Sequence, residues 1–296
     1  MEDALETFDV SEDELCALVH KLMPTWRDDR LDEFEYLSGG YSNFNVVFRR
    51  RHKTPDASGE LDSRYVLRLP KREQPYVDRQ AEAAWYGRLP NAIGPIPLAL
   101  DVHSGQMITP WITGDLLVDV FPGSCCEADL VAYLQAMHAQ LPDVAKHYHV
   151  PTLVPEFIGL DWPADLDRSK FMTGVQSSAS SSDVAVTCHN DLNPWNILVT
   201  PEGWKTLDWE FVGRNDPLFD LVALHQGLQL NISTLPALAT AFLPSCSSQR
   251  LTRAFAHFWL REWCWASYQL RRGNRRKEIV EQESEAKQQL LVLPEF

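Results

Sequence analysis

The chain is short of positive charge: its 296 residues hold 27 Lys and Arg against 41 Asp and Glu, a formal net charge of −14. Such a surface repels nucleic-acid phosphates, which excludes a general nucleic-acid binder, while it favours the approach of a small cation over about 8 Å at physiological salt. Long hydrophobic runs are missing too. No apolar stretch approaches the about 20 residues that span a bilayer, and the opening MEDALETFDVSEDE is acidic where a secretory leader would be basic and then apolar. The expectation is a soluble cytoplasmic protein with no stable membrane insertion. The cysteines Cys16, Cys125, Cys126, Cys188, Cys246 and Cys264 are scattered, show no CxxC spacing, and include a vicinal pair that a disulfide would strain, so reduced thiols are expected. No internal repeat is present.

What remains is an ordinary globular composition, 45% apolar and 23% charged, in a chain long enough for one large core or two lobes. Ser11 with Glu14 forms a capping box before Leu15, Leu18, Val19 and Leu22, and Pro24 stops that helix. Strands are expected over 34–37, 45–48 and 65–69, a helix over 75–89, and two further strands near 98–102 and 107–108. The remainder reads as a helix near 127–140, a loop rich in Pro, Asp and Ser, a hairpin around 184–208, and helices near 218–229, 235–242 and 247–272. SSASSS at 177–182 is low-complexity, and Gly273 in RRGNRRK reads as a helix C-cap. The pattern predicts an α+β chain with a small antiparallel-sheet N-terminal lobe and a larger, mainly helical C-terminal lobe.

The densest chemistry lies in HNDLNPWNILVT at 189–200 and GWKTLDWEF at 203–211. Asn196 follows Asp191 by five residues, and Asp208 follows Asn196 by twelve, across a turn at Glu202 and Gly203. Phosphoryl transfer needs a carboxylate to orient the attacking hydroxyl and hard oxygen ligands to hold Mg²⁺ against the phosphates. Asp191, Asn196 and Asp208 supply them in that order. A returning hairpin sets Asp208 beside the loop of the other two. His189 reads as a brace through its ring nitrogens, and Asp220 as a buried cap for backbone amides, so neither is counted as catalytic.

With NDPLFDLVAL at 215–224, these segments resemble the choline/ethanolamine kinase branch of the aminoglycoside-phosphotransferase-like family, which shares the protein-kinase fold. The resemblance runs from about Gly39 to Tyr268. It implies ATP and Mg²⁺ as cofactors, Asp191 as catalytic base, and Asn196 with Asp208 as metal ligands. It also implies a nucleotide-binding lobe over 1–108 with a leading helix, a hinge over 109–114, and a catalytic and acceptor-binding lobe over 115–296. LSGGYSNFNVVF resembles the phosphate-covering loop, with Gly39, Gly40, Ser42 and Asn43 at the nucleotide; Arg68 would pair with the phosphates, and Glu82 would be its helix partner. Pro110 and Ile112 in TPWITG would meet the adenine.

In choline kinases a tryptophan-bearing helix lines the acceptor site, where aromatic faces attract quaternary ammonium. Trp259, Trp263 and Trp265 are the corresponding candidates, although the family spacing is WxxW and this chain has Trp263-Cys264-Trp265. Glu210 would balance the cation. The expected activity is phosphorylation of a small cationic alcohol, choline or ethanolamine first. Thiamine, an aminoglycoside or another small alcohol are the alternatives, and a catalytically silent nucleotide-binding protein is the alternative class. The oligomeric state is left open.

Overall fold

A computed structural model describes residues 10–37, 42–53, 62–71, 74, 76–159, 162, 166, 167, 169, 185–294 and 296, with the side chains of 156–158 excepted. Gly39, Gly40 and the Ser-rich stretch 177–182 therefore lie outside the described residues. The chain divides into two compact units, Met1–Gly114 and Asp115–Phe296.

In the first unit, helix α1 (Glu12–Leu22) starts at the Ser11 and Glu14 capping box and buries Leu15 and Val19. Five antiparallel strands follow, β1 (Arg30–Leu37), β2 (Asn43–Arg51), β3 (Asp62–Pro70), β4 (Ala99–Leu100) and β5 (Met107–Pro110), in the order β1-β2-β3-β5-β4. Alternation puts Val46 and Phe48 of β2 and Tyr65, Leu67 and Leu69 of β3 into one cluster with Leu15, Val19, Trp26 and Ile108. Each fully buried member contributes roughly 1.5–3 kcal/mol. Helix α2 (Arg79–Tyr86) is shorter than 75–89, because Asp78 caps it by accepting the amide of Ala81 at 3.0 Å. The segment 109–114 is not wholly connector: Thr109 and Pro110 pair with Val66 and Tyr65, and the Trp111 amide donates to the Arg64 carbonyl at 3.0 Å.

The second unit holds β6 (Asp115–Leu116), α3 (Leu117–Val120), α4 (Glu127–Gln140), α5 (Val150–Ile158), β7 (Val186–Cys188), β8 (Ile197–Thr200), β9 (Gly203–Thr206), β10 (Gly213–Asn215), α6 (Leu218–Gly227), α7 (Leu235–Phe242), α8 (Ser248–Arg271) and α9 (Lys277–Leu291). The region expected as one hairpin over 184–208 divides its pairing: β8 pairs with β9 and β6, whereas β7 pairs with β10. Helix α5 lies where a Pro-rich loop was expected. Pro151 occupies its first turn, where its missing N–H costs nothing, although Pro155 does fall inside. Helix α8 ends before Gly273, whose φ of +86° is the left-handed conformation expected of that cap. Helix α6 is buried from Leu218 to His225, with Phe219 edge-on to Phe258 of α8 at 6.2 Å. All six cysteines are free. Among the described residues no helix is long and apolar enough to cross a membrane.

Candidate active site

Strand β7 delivers the chain to His189 and Asn190, and the loop is held from beneath by Asp220 of α6. Its two carboxylate oxygens accept the amides of His189 and Asn190 at 2.9 and 2.8 Å. Burial opposes ionisation of Asp220, but the hydrogen bond and charge of His138, 3.3 Å away, together with His189 hold it below the usual carboxylate range. Asn190 adopts a left-handed φ of +66°, which asparagine tolerates, and its Nδ2 donates to the carbonyls of Cys188, Phe211 and Gly213. His189 is fully buried, edge-on to Trp209 at 4.6 Å. Its Nδ1 accepts the Asp191 amide at 3.2 Å, so Nε2 carries the proton and donates to the Leu207 carbonyl at 2.8 Å.

These braces join the loop of Asp191 to the segment of Asp208. The register Ile197 with Thr206 and the 2.8 Å bond from the Leu207 amide to the Asn196 carbonyl set Asp208 beside Asn196. Asp208 has a φ of +56°, a conformation that non-glycine residues seldom adopt and that clusters at functional sites. Asn196 spends its Nδ2 on the Asp191 carbonyl at 2.9 Å, which leaves its Oδ1 as an acceptor. Asn196 Oδ1 and the Asp208 carboxylate are hard oxygen donors of the kind Mg²⁺ takes.

The carboxylate of Asp191 is held asymmetrically. Oδ1 accepts from Asn193 Nδ2 at 2.8 Å and from Arg261 Nη2 at 2.7 Å, while Oδ2, among the described residues, has Asn196 Nδ2 at 3.4 Å. Arg261 lies on α8 and was absent from the sequence reading. The signal was two adjacent charges, Arg261 and Glu262, inside the aromatic stretch HFWLREWCW. Burial works against the guanidinium charge, but Glu262, with Oε1 2.9 Å away, and Asp191 outweigh it and bind its proton more firmly. Burial, opposed by Arg261, raises the Glu262 carboxyl.

The tryptophans on the same helix have other neighbours. Trp259 is buried against Phe255 and Phe258, Trp263 donates to Glu283 of α9 at 2.8 Å, and Trp265 is half-buried. Residues two apart do not share a helix face, so turning Arg261 toward Asp191 turns Trp259 and Trp263 elsewhere. Glu210 is buried.

In the first unit Arg68 of β3 and Glu82 of α2 form a buried pair at 2.8 Å, and Arg68 also donates twice to the Gly105 carbonyl. Arg79 takes the other Glu82 oxygen at 2.7 Å. Burial pushes the Glu82 carboxyl up, but Arg68 and then Arg79 outweigh it and hold it low. Asn43 begins β2 opposite Pro70, with its buried Oδ1 lacking a partner among the described residues. The Ser42 carbonyl accepts the Lys71 amide at 3.0 Å. Pro110 ends β5, and Ile112 is half-buried two residues on.

The model of the family described as "Phosphotransferase enzyme family" matches residues 33–263. A stretch of 44 residues is 43% identical to Protein LicA of Haemophilus influenzae, 15% of this chain and 16% of that protein. The crystal structure of a choline/ethanolamine kinase family protein from Mesorhizobium loti is similar, with a TM-score of 0.68 and 22% identity, covering 96% of this chain and 95% of that one. So is the choline kinase LicA from Streptococcus pneumoniae, with a TM-score of 0.69 and 17% identity over 94% of this chain and 98% of that one. At these identities the likeness is one of fold, the α+β protein-kinase-like architecture with an antiparallel-sheet N-terminal unit and a mainly helical C-terminal unit.

Proposed function

This chain belongs to the phosphotransferase enzyme family, and from that premise we propose that it is an ATP- and Mg²⁺-dependent kinase acting on the hydroxyl of a small cationic alcohol, choline or ethanolamine first and thiamine second. The observation that carries the reading is Asp191: one carboxylate oxygen is saturated by Asn193 and Arg261, and the other keeps capacity for a hydroxyl. The names of the similar solved structures support the acceptor class.

In this reading residues 1–108 bind the nucleotide, with Arg68, steered by Glu82, at its phosphates and Gly39, Gly40, Ser42 and Asn43 covering them. Pro110 and Ile112, in the 109–114 segment, take the adenine. Residues 115–296 carry the chemistry and the acceptor. The Asn196 and Asp208 oxygens suit Mg²⁺, which when bound offsets charge on the phosphates. Asp191 orients the acceptor hydroxyl and takes its proton as the oxygen bonds to the γ-phosphorus and the bond to the β–γ bridging oxygen breaks, releasing ADP. Glu210 balances the acceptor cation, and Trp259, Trp263 and Trp265 belong to the acceptor side.

The same lobe chemistry serves other alcohols, so a second reading keeps an aminoglycoside or homoserine as the acceptor.

Release of ADP by the purified protein with Mg²⁺ and ATP, measured against choline, ethanolamine, thiamine, homoserine and an aminoglycoside, tests both. Selective turnover of one cationic alcohol, lost by orders of magnitude in Asp191→Asn while ATP still binds, is the expected result. Near-normal turnover in that variant sinks the assignment. ATP binding without turnover of any acceptor leaves the silent nucleotide-binding protein.

A further inference from the structure

Arg261 reaches Asp191 across 70 residues of sequence and joins its loop to the C-terminal helices. Its Nη2 donates to Asp191 Oδ1 at 2.7 Å and lies at ion-pair distance, 2.9 Å, from Glu262 Oε1. Glu262 is in turn bonded by Gln282 of α9, and Trp263 by Glu283 of the same helix. Helix α9 lies beyond residue 263, where the family match ends, so this support is additional to the matched segment.

A pair placed for stability alone is poorly served by this arrangement. The guanidinium is buried, its Nε has no partner among the described residues, and apolar side chains of similar volume often stabilise a fold as well as a buried ion pair does. What the arrangement does achieve is directional. With Asn193, Arg261 fills Oδ1 and fixes the plane of the carboxylate, so that Oδ2 is the oxygen left for a hydroxyl.

We propose that Arg261 is a positioning residue for phosphoryl transfer: it locks Asp191 in the orientation that meets the acceptor hydroxyl, and Glu262 and Gln282 lock Arg261. This rests on the reading of Asp191 as the base. Positioning of this kind acts on the chemical step and leaves nucleotide binding alone, since Arg261 holds the base Asp191 while the nucleotide contacts are assigned to residues 1–114.

The test compares Arg261→Met, Arg261→Lys, the double variant Arg261→Met with Glu262→Gln, and Asp191→Asn. Acceptor-dependent ADP release is measured, or hydrolysis of ATP by water where no acceptor is turned over, together with nucleotide affinity and thermal midpoint. Arg261→Met is expected to lower kcat by about 30-fold or more with KM and nucleotide affinity within about threefold, and Arg261→Lys to restore part of the loss. The double variant removes both buried charges, so its thermal midpoint should recover toward wild type while kcat stays low.

Arg261→Met within about threefold of wild-type kcat overturns the inference, as does turnover that recovers together with stability in the double variant. An inactive Asp191→Asn beside an active Arg261→Met overturns the inference alone. An active Asp191→Asn, or a wild type with neither acceptor turnover nor ATP hydrolysis, overturns the reading beneath it and the inference with it.

Discussion

Asp220 and Asn190 meet through a 2.8 Å bond from the Asn190 amide to Asp220 Oδ1, while the other carboxylate oxygen takes the amide of His189 at 2.9 Å. The loop before Asp191 thus hangs on one fully buried carboxylate. Asp220→Asn keeps one acceptor oxygen and turns an NH₂ group toward the second amide, which leaves a buried donor unpaired. The expected cost is about 1–3 kcal/mol in denaturant unfolding. Turnover should fall by about tenfold or more, since Asp191 is displaced with the loop. Lost stability with full turnover would mean that Asp191 is placed by Arg261 and Asn193 without help from Asp220.

Arg68→Met tests the buried pair of the first unit. Glu82 keeps Arg79 on one oxygen but loses the partner on the other, in a place where its side chain is 0% exposed. Breaking a buried pair costs about 3–5 kcal/mol, and the surviving Arg79 contact places this case near about 3. If Arg68 also holds phosphates, ATP affinity measured by titration calorimetry should fall by about tenfold. A loss of stability with unchanged ATP affinity would make Arg68 a strut between β3 and α2 only.

His225 sets an acid limit on stability. Buried on α6, it accepts from Gln226 at Nδ1 and donates from Nε2 to Thr234 Oγ1, and burial lowers its pKa from 6.5 to about 4. The folded state therefore keeps it neutral while the unfolded chain takes up a proton below about 6.5, so the unfolded state binds more protons and stability falls as pH drops from there toward 4. The loss is at most about 3 kcal/mol. Thermal midpoints across that range should fall more steeply for wild type than for His225→Gln; parallel curves would show that His225 does not carry the slope.

The sequence made some of this site legible because fixed motif spacing carries it. His189 bracing through both ring nitrogens, Asp220 capping amides, and Asp208 returning beside Asn196 all belong to motif segments that recur together. Arg261 was not legible, because only the packing of α8 brings it to Asp191. Nor was Arg79, whose reach to Glu82 depends on where the Asp78 cap starts α2. Helix α9 carried a weak signal: its buried residues, Ile279, Ala286 and Leu290, are too few to stand out among the charges around them. The neighbours of the tryptophans were not legible either: helical position packs Trp259 on Phe258 and lets Trp263 donate to Glu283 of α9.

Gly227 offers a test of the metal loop that touches none of its proposed ligands. It ends α6 beneath the 3-10 turn Pro194–Asn196, and a Cβ added there would collide with Pro194 Cδ, approach its Cγ to 3.2 Å and lie 3.6 Å from Asn193 Oδ1. A proline ring cannot rotate aside as a flexible side chain does, so Gly227→Ala must move the turn itself. The displacement falls on Asn193, which fills Asp191 Oδ1, and on Asn196, two residues beyond Pro194. Overpacking of this kind costs about 1–3 kcal/mol. The sharper expectation is a changed Mg²⁺ requirement: the half-saturating Mg²⁺ concentration for ADP release should rise by about tenfold, because Asn196, a proposed ligand, is displaced from its place in the hairpin. ATP binding measured without Mg²⁺ should be unchanged, since Gly227 lies in the second unit and the nucleotide contacts are assigned to the first. A variant that is destabilised yet keeps the wild-type Mg²⁺ dependence would show that the turn relaxes without moving Asn196, and would separate the packing of α6 from the geometry of the proposed metal ligands.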